Sequence, residues 1–220
     1  MGRTKYTEAE RDQIMIAFIK AAREIIDMEG IEKVSIRKIA TLTGMNSATL
    51  YLYFPNADVL VTMASMSYLE KYCRTLAADM PSMKTPRQAL VHTWDVFAQY
   101  AFEYPEIFQH LFYTEHTVPL VQIVDDYYHL FPEQLDNIGG AVREMLHAGS
   151  LNERGWQVFN PAAEECGMPE EDAIIANDML VSYFRSLLEE RCKNSNGMLQ
   201  KEKLIKQLKQ ALELLIPEGK

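Results

Sequence analysis

Ser35–Phe54, SIRKIATLTGMNSATLYLYF, reads as two short helices joined by a tight turn. Ser35 is a good N-cap because its hydroxyl accepts from the unpaired amides of a first helical turn. Ile36, Ile39 and Ala40 then share one face at helical spacing, which predicts a helix over 36–42. Thr43-Gly44-Met45 stops it, since glycine takes the left-handed conformation of a helix C-cap without a steric cost. Asn46 at once offers a side-chain oxygen to cap a second helix from Ser47 to about Tyr53. Two capped helices about a glycine turn are the grammar of a helix-turn-helix.

The second helix has a surface to explain. Leu50 and Phe54, four apart, point into a small core. That leaves Ser47, Ala48, Thr49, Tyr51 and Tyr53 outside it. Small side chains let a helix sit deep in a major groove, hydroxyls donate to phosphate oxygens, and Ala or Thr methyls meet a thymine methyl. Arg37 and Lys38 add charge on the preceding helix. The competing reading packs Tyr51 and Tyr53 against neighbouring helices.

The longer stretch IKAAREIIDMEGIEKVSIRKIATLTGMNSATLYLYFPNADVL resembles the N-terminal domain of TetR-type transcriptional repressors over roughly residues 12 to 63. The resemblance rests on a helix ending at Gly30, a Ser cap followed by Arg-Lys-Ile-Ala, the turn glycine, and T-L-Y-x-x-F. It implies that Arg37 contacts DNA near the start of the second helix. It further implies that Ser47, Ala48, Thr49, Tyr51 and Tyr53 face the groove, with Tyr51 and Tyr53 on phosphates. One position departs: the family commonly has lysine at the start of the fourth helix, and this chain has Ala57. One lost cation weakens sequence-independent binding and lowers the salt slope by about one unit. Tyr53 stands where histidine is common, which keeps a donor but removes a titrating group.

The composition bounds the rest. With 220 residues, 48% of them hydrophobic, the chain buries a substantial core. The division expected is a helix-turn-helix DNA-binding domain over 1–55 and a larger helical ligand-binding and dimerisation domain over 56–220, an all-α fold. The net charge of −9 looks adverse to DNA, but residues 1–53 hold eight Lys/Arg against seven Asp/Glu, so the acidity lies in the body. Arg3 and Lys5, ahead of the first helix, form either an arm on the phosphates or a tail with no partner. Cys73, Cys166 and Cys192 are odd in number and lack CxxC spacing, so neither a disulfide framework nor a zinc site is read, and a reducing cytoplasm is expected. No signal-peptide run and no membrane span is seen.

Along the chain, Ile14, Ala17, Phe18, Ala21, Ala22 and Ile25 predict a first helix from about Glu8 to Met28. Asn56 caps a fourth, running to about Asp79, the lever between head and body. Thr85 caps another with Pro86 at its first position. Shorter helices are expected over about 106–114 and 118–130, and a longer one after Pro132 ending near Gly149. Gly155, Pro161 and Gly167 predict a loop over 150–168. Two amphipathic helices close the chain. The resemblance implies that they pair with their copies in a second subunit, and a two-part operator requires two heads about 34 Å apart. The expected homodimer interface is Ile174, Val181, Phe184, Leu188, Leu204, Leu208 and Leu212, with Lys201, Lys203, Lys206 and Lys209 mostly on the wet face; the alternative is that both apolar faces pack within the monomer.

Residues 92–131 concentrate aromatic and histidine side chains whose polar tips a closed core must satisfy and a ligand cavity uses readily. Trp94, Tyr100, Tyr104, Phe108, Phe112 and Tyr127 are the candidate lining of a site for an unknown small-molecule effector; core packing is the plainer reading of most. No Gly-rich phosphate loop, HExxH or G-x-S-x-G motif points to an enzyme, no cofactor is implied, and Glu115-His116 is a weak metal motif. The reading is a dimeric, ligand-responsive repressor that binds a palindromic double-stranded DNA operator. The alternative is a helical interaction or nucleoid-binding protein with no small-molecule effector.

Overall fold

The computed structural model describes residues 6–136, 138–194 and 197–217. Arg3 and Lys5 lie outside them. Eleven α-helices and three short 3-10 turns make up the described chain, with no strand among the described residues. The chain divides into two compact units: Met1–Ser67 with Glu115–Leu135, and Tyr68–Thr114 with Asp136–Lys220.

In the first unit, α1 (Glu8–Glu29) opens on a capping box in which Thr7 and Glu10 satisfy each other's backbone amides. Its stripe Phe18, Ile19, Ala22, Ile25 and Ile26 is buried. Gly30, with φ of 95°, ends it. α2 (Ile36–Thr43) is capped by Ser35 and closed by Gly44 in the left-handed region, φ 67°. α3 (Ser47–Leu50) is capped by Asn46, whose Oδ1 accepts from the Ala48 amide at 2.8 Å. Regular α-helix ends at Leu50, shorter than the expected run to Tyr53. The next three residues continue as a tight turn, with the Phe54 amide donating to the Leu50 carbonyl. The physical reason is Pro55, which pushes the residue before it out of helical conformation. Phe18, Ile39, Leu50 and Phe54 form the core, with Phe18 and Phe54 edge-to-face at 6.2 Å.

The same unit takes in α7 (Leu120–Leu130) and the 3-10 turn Pro132–Leu135, which the sequence groups with the body. The reason is a polar anchor on α1. Arg23 donates to the phenol oxygen of fully buried Tyr127 at 2.8 Å, Tyr127 donates in turn to Gln134, and the guanidinium lies 5.8 Å from the Phe131 ring. A contiguous division at residue 55 therefore does not follow the packing. α4 (Ala57–Asp79), capped by Asn56 at the Val59 amide, begins in this unit and ends in the other.

The second unit holds the rest of α4 with α5 (Pro86–Glu103), α6 (Pro105–Tyr113), α8 (Gly140–His147), α9 (Leu151–Glu165), α10 (Glu170–Lys193) and α11 (Met198–Leu215). α9 packs on both α5 and α10, and α11 lies on α5 and α10. Its core is aromatic: Phe102 stacks on Phe184 at 5.6 Å, and Trp94 and Phe97 lie at 5.5 and 5.1 Å from the same ring. Two expectations are corrected here. The expected helix between Pro132 and Gly149 is a 3-10 turn followed by the short α8, because Gly139-Gly140 interrupts the pattern. The expected loop over 150–168 is α9. Ser150 and Glu153 form a capping box, and Pro161, which lacks an amide to donate, is tolerated inside the packed helix.

Candidate nucleic-acid interface and ligand cavity

On the head, Arg37 and Ala48 are exposed, Tyr51 is 57% exposed, and Ser47 and Thr49 are half-buried. These residues come from the N-terminal half of α2, from α3 and from the turn after it. Caps at Ser35 and Asn46 and the left-handed Gly44 set that arrangement. Tyr53 differs from Tyr51. It is half-buried, its ring packs on Phe18 at 6.5 Å, and the Arg11 guanidinium lies 5.3 Å from its centroid. Packing therefore explains the Tyr53 ring and leaves Tyr51 unexplained by the fold. Lys38 is held by Glu29 at 2.6 Å, so part of the charge beside Arg37 is engaged within the head.

The six candidate cavity residues separate. Trp94 and Phe112 line an inner cavity of the second unit. Phe108 is fully buried in the ring cluster, 5.5 Å from Phe97. The Tyr100 hydroxyl bonds Thr75 Oγ1 at 2.8 Å, and Tyr104 packs edge-to-face on Tyr68 at 4.8 Å. Tyr127 belongs to the first unit altogether, as described above. Residues that sequence reading misses complete the inner cavity: Tyr72 from α4, Met145 from α8, and Arg154 and Gly155 from α9. The Ser150-x-x-Glu153 box was the signal for α9 and hence for Arg154. Gly155 has a packing reason, since a Cβ there would meet Asn177 Oδ1 at 2.8 Å. The cavity itself is only about 20 Å³, room for about one water. An outer cavity of about 240 Å³ adjoins it and shares Thr93, Met145 and Val158 as walls.

The expected interface residues of α10 and α11 are also redistributed. Val181, Phe184, Leu188, Leu204, Leu208 and Leu212 are buried inside the unit, so they form the monomer's own core; Ile174 alone of that set is exposed, at 47%. The apolar face that stays open is a different one. Ile175, Met179 and Tyr183 recur every four residues along α10, and Leu214 of α11 is 84% exposed beside a groove lined by Met179, Tyr183, Ala211 and Leu214. Two of the lysines placed on the wet face have partners: Lys201 pairs with Glu103 at 2.7 Å and Lys209 with Asp95 at 2.9 Å. Both pairs tie α11 to α5.

Burial pushes the Cys73 thiol up to about 12, which keeps it protonated and poorly nucleophilic. No described helix is long and apolar enough to cross a membrane.

Residues 18–62 match the sequence profile described as bacterial regulatory proteins, tetR family. Search among curated proteins finds no match. Solved structures share the fold. A FadR transcriptional regulator from Bacillus subtilis in complex with stearoyl-CoA is 18% identical, with 93% of this chain and 99% of that one covered and a TM-score of 0.55. FadR from Thermus thermophilus, a TetR-family repressor in complex with lauroyl-CoA, is 16% identical over 94% and 95%, at 0.59. A TetR regulator from Rhodococcus sp. RHA1 is 15% identical over 97% and 100%, at 0.54.

Proposed function

We propose, from the match of residues 18–62 to the tetR family of bacterial regulatory proteins, that this chain is a cytoplasmic, homodimeric, non-enzymatic transcriptional repressor released or engaged by a small molecule. The observation that carries the reading is the exposed set Arg37, Ala48 and Tyr51 on a capped helix-turn-helix whose own core leaves them unused. In this reading residues 1–55 act as the DNA-binding head and 56–220 as the effector and dimerisation body. Arg37 and Tyr51 meet phosphates, Ser47, Ala48 and Thr49 approach base edges, and Tyr53 positions the turn as much as it touches DNA.

A palindromic operator calls for two heads about 34 Å apart, hence two copies. The open face of Ile175, Met179, Tyr183 and Leu214 is the surface that a second copy covers. The effector occupies the cavities of the second unit. The stearoyl-CoA and lauroyl-CoA complexes of proteins with the same fold support a small-molecule effector. Leu69, Tyr72 and Leu76 of α4 line these cavities, so a ligand there acts on the helix that continues toward the head. Its effect is limited to its differential affinity: a hundredfold preference for one state shifts the equilibrium by about 2.7 kcal/mol.

The test is retardation of the DNA upstream of the protein's own coding region, across a salt series. A saturable shift that unrelated DNA does not compete away is expected, with the salt slope lowered by about one because Ala57 carries no charge. Binding to all DNA alike would favour the second reading, a nucleoid-binding protein with no effector.

A further inference from the structure

The first turn of α1 carries a cation that helix chemistry does not ask for. Arg11 follows Glu8 and Glu10 at the N-terminal end of the helix, where the macrodipole favours carboxylates and disfavours a positive charge. Glu10 is already engaged: its carboxylate accepts from the Thr7 amide at 2.7 Å and from the Thr7 hydroxyl at 2.9 Å. Arg11 is exposed and has no ion-pair partner among the described residues. It has a ring instead, its guanidinium lying 5.3 Å from the centroid of Tyr53. That ring is itself fixed. The Tyr53 amide donates to the Leu50 carbonyl at 3.0 Å in the turn after α3, and the ring packs on Phe18 at 6.5 Å. A ring face attracts the charge of a guanidinium but uses none of its N–H donors. Arg23 and Lys38, by contrast, spend donors within the unit, on Tyr127 and Glu29.

We propose that Arg11 belongs to the nucleic-acid interface as a phosphate contact, held in position by the ring of Tyr53. The inference rests on reading the head as DNA-binding, and it extends the contact surface from α2, α3 and the turn after them to the start of α1. Arginine suits the task because its planar fork donates parallel hydrogen bonds to a phosphate and its charge does not titrate. Resting on a fixed ring restricts the long side chain before DNA arrives, so less rotamer freedom is lost on binding. Tyr53 thereby gains a role that belongs to its ring and not to its hydroxyl. A phosphate contact carries no base information, so Arg11 strengthens binding to every duplex alike. Its signature also differs from that of Tyr51, because a cation on a phosphate releases a counterion and a neutral hydroxyl does not.

The test is retardation by the full chain of the fragment upstream of its own coding region and of an unrelated duplex, between about 50 and 200 mM salt. Arg11→Gln, which keeps a good helix former at an exposed position, should lower the slope of log affinity against log salt by about 0.9 on both duplexes. The ratio of the two affinities and the helical content should stay unchanged. Arg11→Lys, which keeps the charge, should restore the slope, and Tyr53→Phe, which keeps the ring, should leave it as in the wild type. Tyr53→Leu also loses packing on Phe18, so it is compared with and without Arg11→Gln; its effect should be smaller once Arg11 is gone. The proposal is overturned if Arg11→Gln leaves the slope unchanged, or if Tyr53→Leu weakens binding equally in both backgrounds. Specific retardation with an unchanged slope in Arg11→Gln sinks this inference and leaves the regulator standing. A lowered slope in a chain that binds both duplexes alike supports the phosphate contact and removes the specific repressor, and a chain that binds neither duplex at low salt removes both.

Discussion

Replacing Met179 with Glu isolates the face that α10 and α11 leave open. Met179 is 58% exposed in the single chain and sits between Ile175 and Tyr183 at four-residue spacing, so its mutation touches little of the monomer's core. Full burial of a methionine side chain is worth about 1.5–3 kcal/mol, so covering the exposed part returns about 1 kcal/mol. Two-fold symmetry counts it twice, and Met179→Ala alone should weaken a dimer by about 2 kcal/mol, some thirtyfold in Kd. Glu adds the desolvation of two carboxylates, several kcal/mol in all, and raises Kd by more than about a thousandfold. Sedimentation equilibrium should then show monomers where dimers are expected of the wild type, with helical content unchanged and Tm lowered only by the loss of association. Leu208→Glu is the contrasting perturbation. Leu208 is 1% exposed inside the second unit, so its replacement should unfold the chain and says nothing of assembly. Persistent dimers of Met179→Glu with unchanged Kd would refute the assignment of this face; lost helicity would show that Met179 supports the fold.

Tyr51→Phe removes a hydroxyl that the fold does not use, so operator affinity should fall by about 1 kcal/mol, roughly fivefold, at unchanged Tm; equal affinity in a retardation assay would detach Tyr51 from DNA. Ser150→Ala deletes the cap of α9 and its box with Glu153, which should cost about 1 kcal/mol and lower Tm by about 2–4 °C in thermal unfolding. Cys73 supplies a pH test. Below the ordinary thiol value of 9.0 both folded and unfolded chains keep its proton, and above it the unfolded chain releases the proton while burial holds the folded thiol to about 12. Stability should therefore fall as pH rises through that window, and Cys73→Ala should flatten the slope of Tm against pH.

Local chemistry was legible in the sequence wherever one residue answers for its own backbone. Ser35, Asn46, Asn56 and Thr85 each cap the helix expected of them, and Gly30 and Gly44 take the positive φ that ends a helix. Those signals act over three or four residues, so neighbours in sequence suffice to read them, and with the T-L-Y-x-x-F pattern they were enough to recognise the head. Ser150-x-x-Glu153 is equally local, while Gly155 and Pro161 are breakers whose tendency tertiary packing overrides: α9 is held on both sides by α5 and α10. What the sequence alone could not settle is which neighbour each apolar face meets. α10 and α11 are apolar on more than one side, and periodicity cannot tell a face that packs on α5 and α9 from one that stays open. Only the packing assigns Phe184 and Leu208 to the core and Met179 to the surface. The cavity is non-local in the same way. Tyr72, Trp94, Met145 and Arg154 come from four helices spread over more than eighty residues, and it is their convergence, not any spacing along the chain, that encloses a single apolar space.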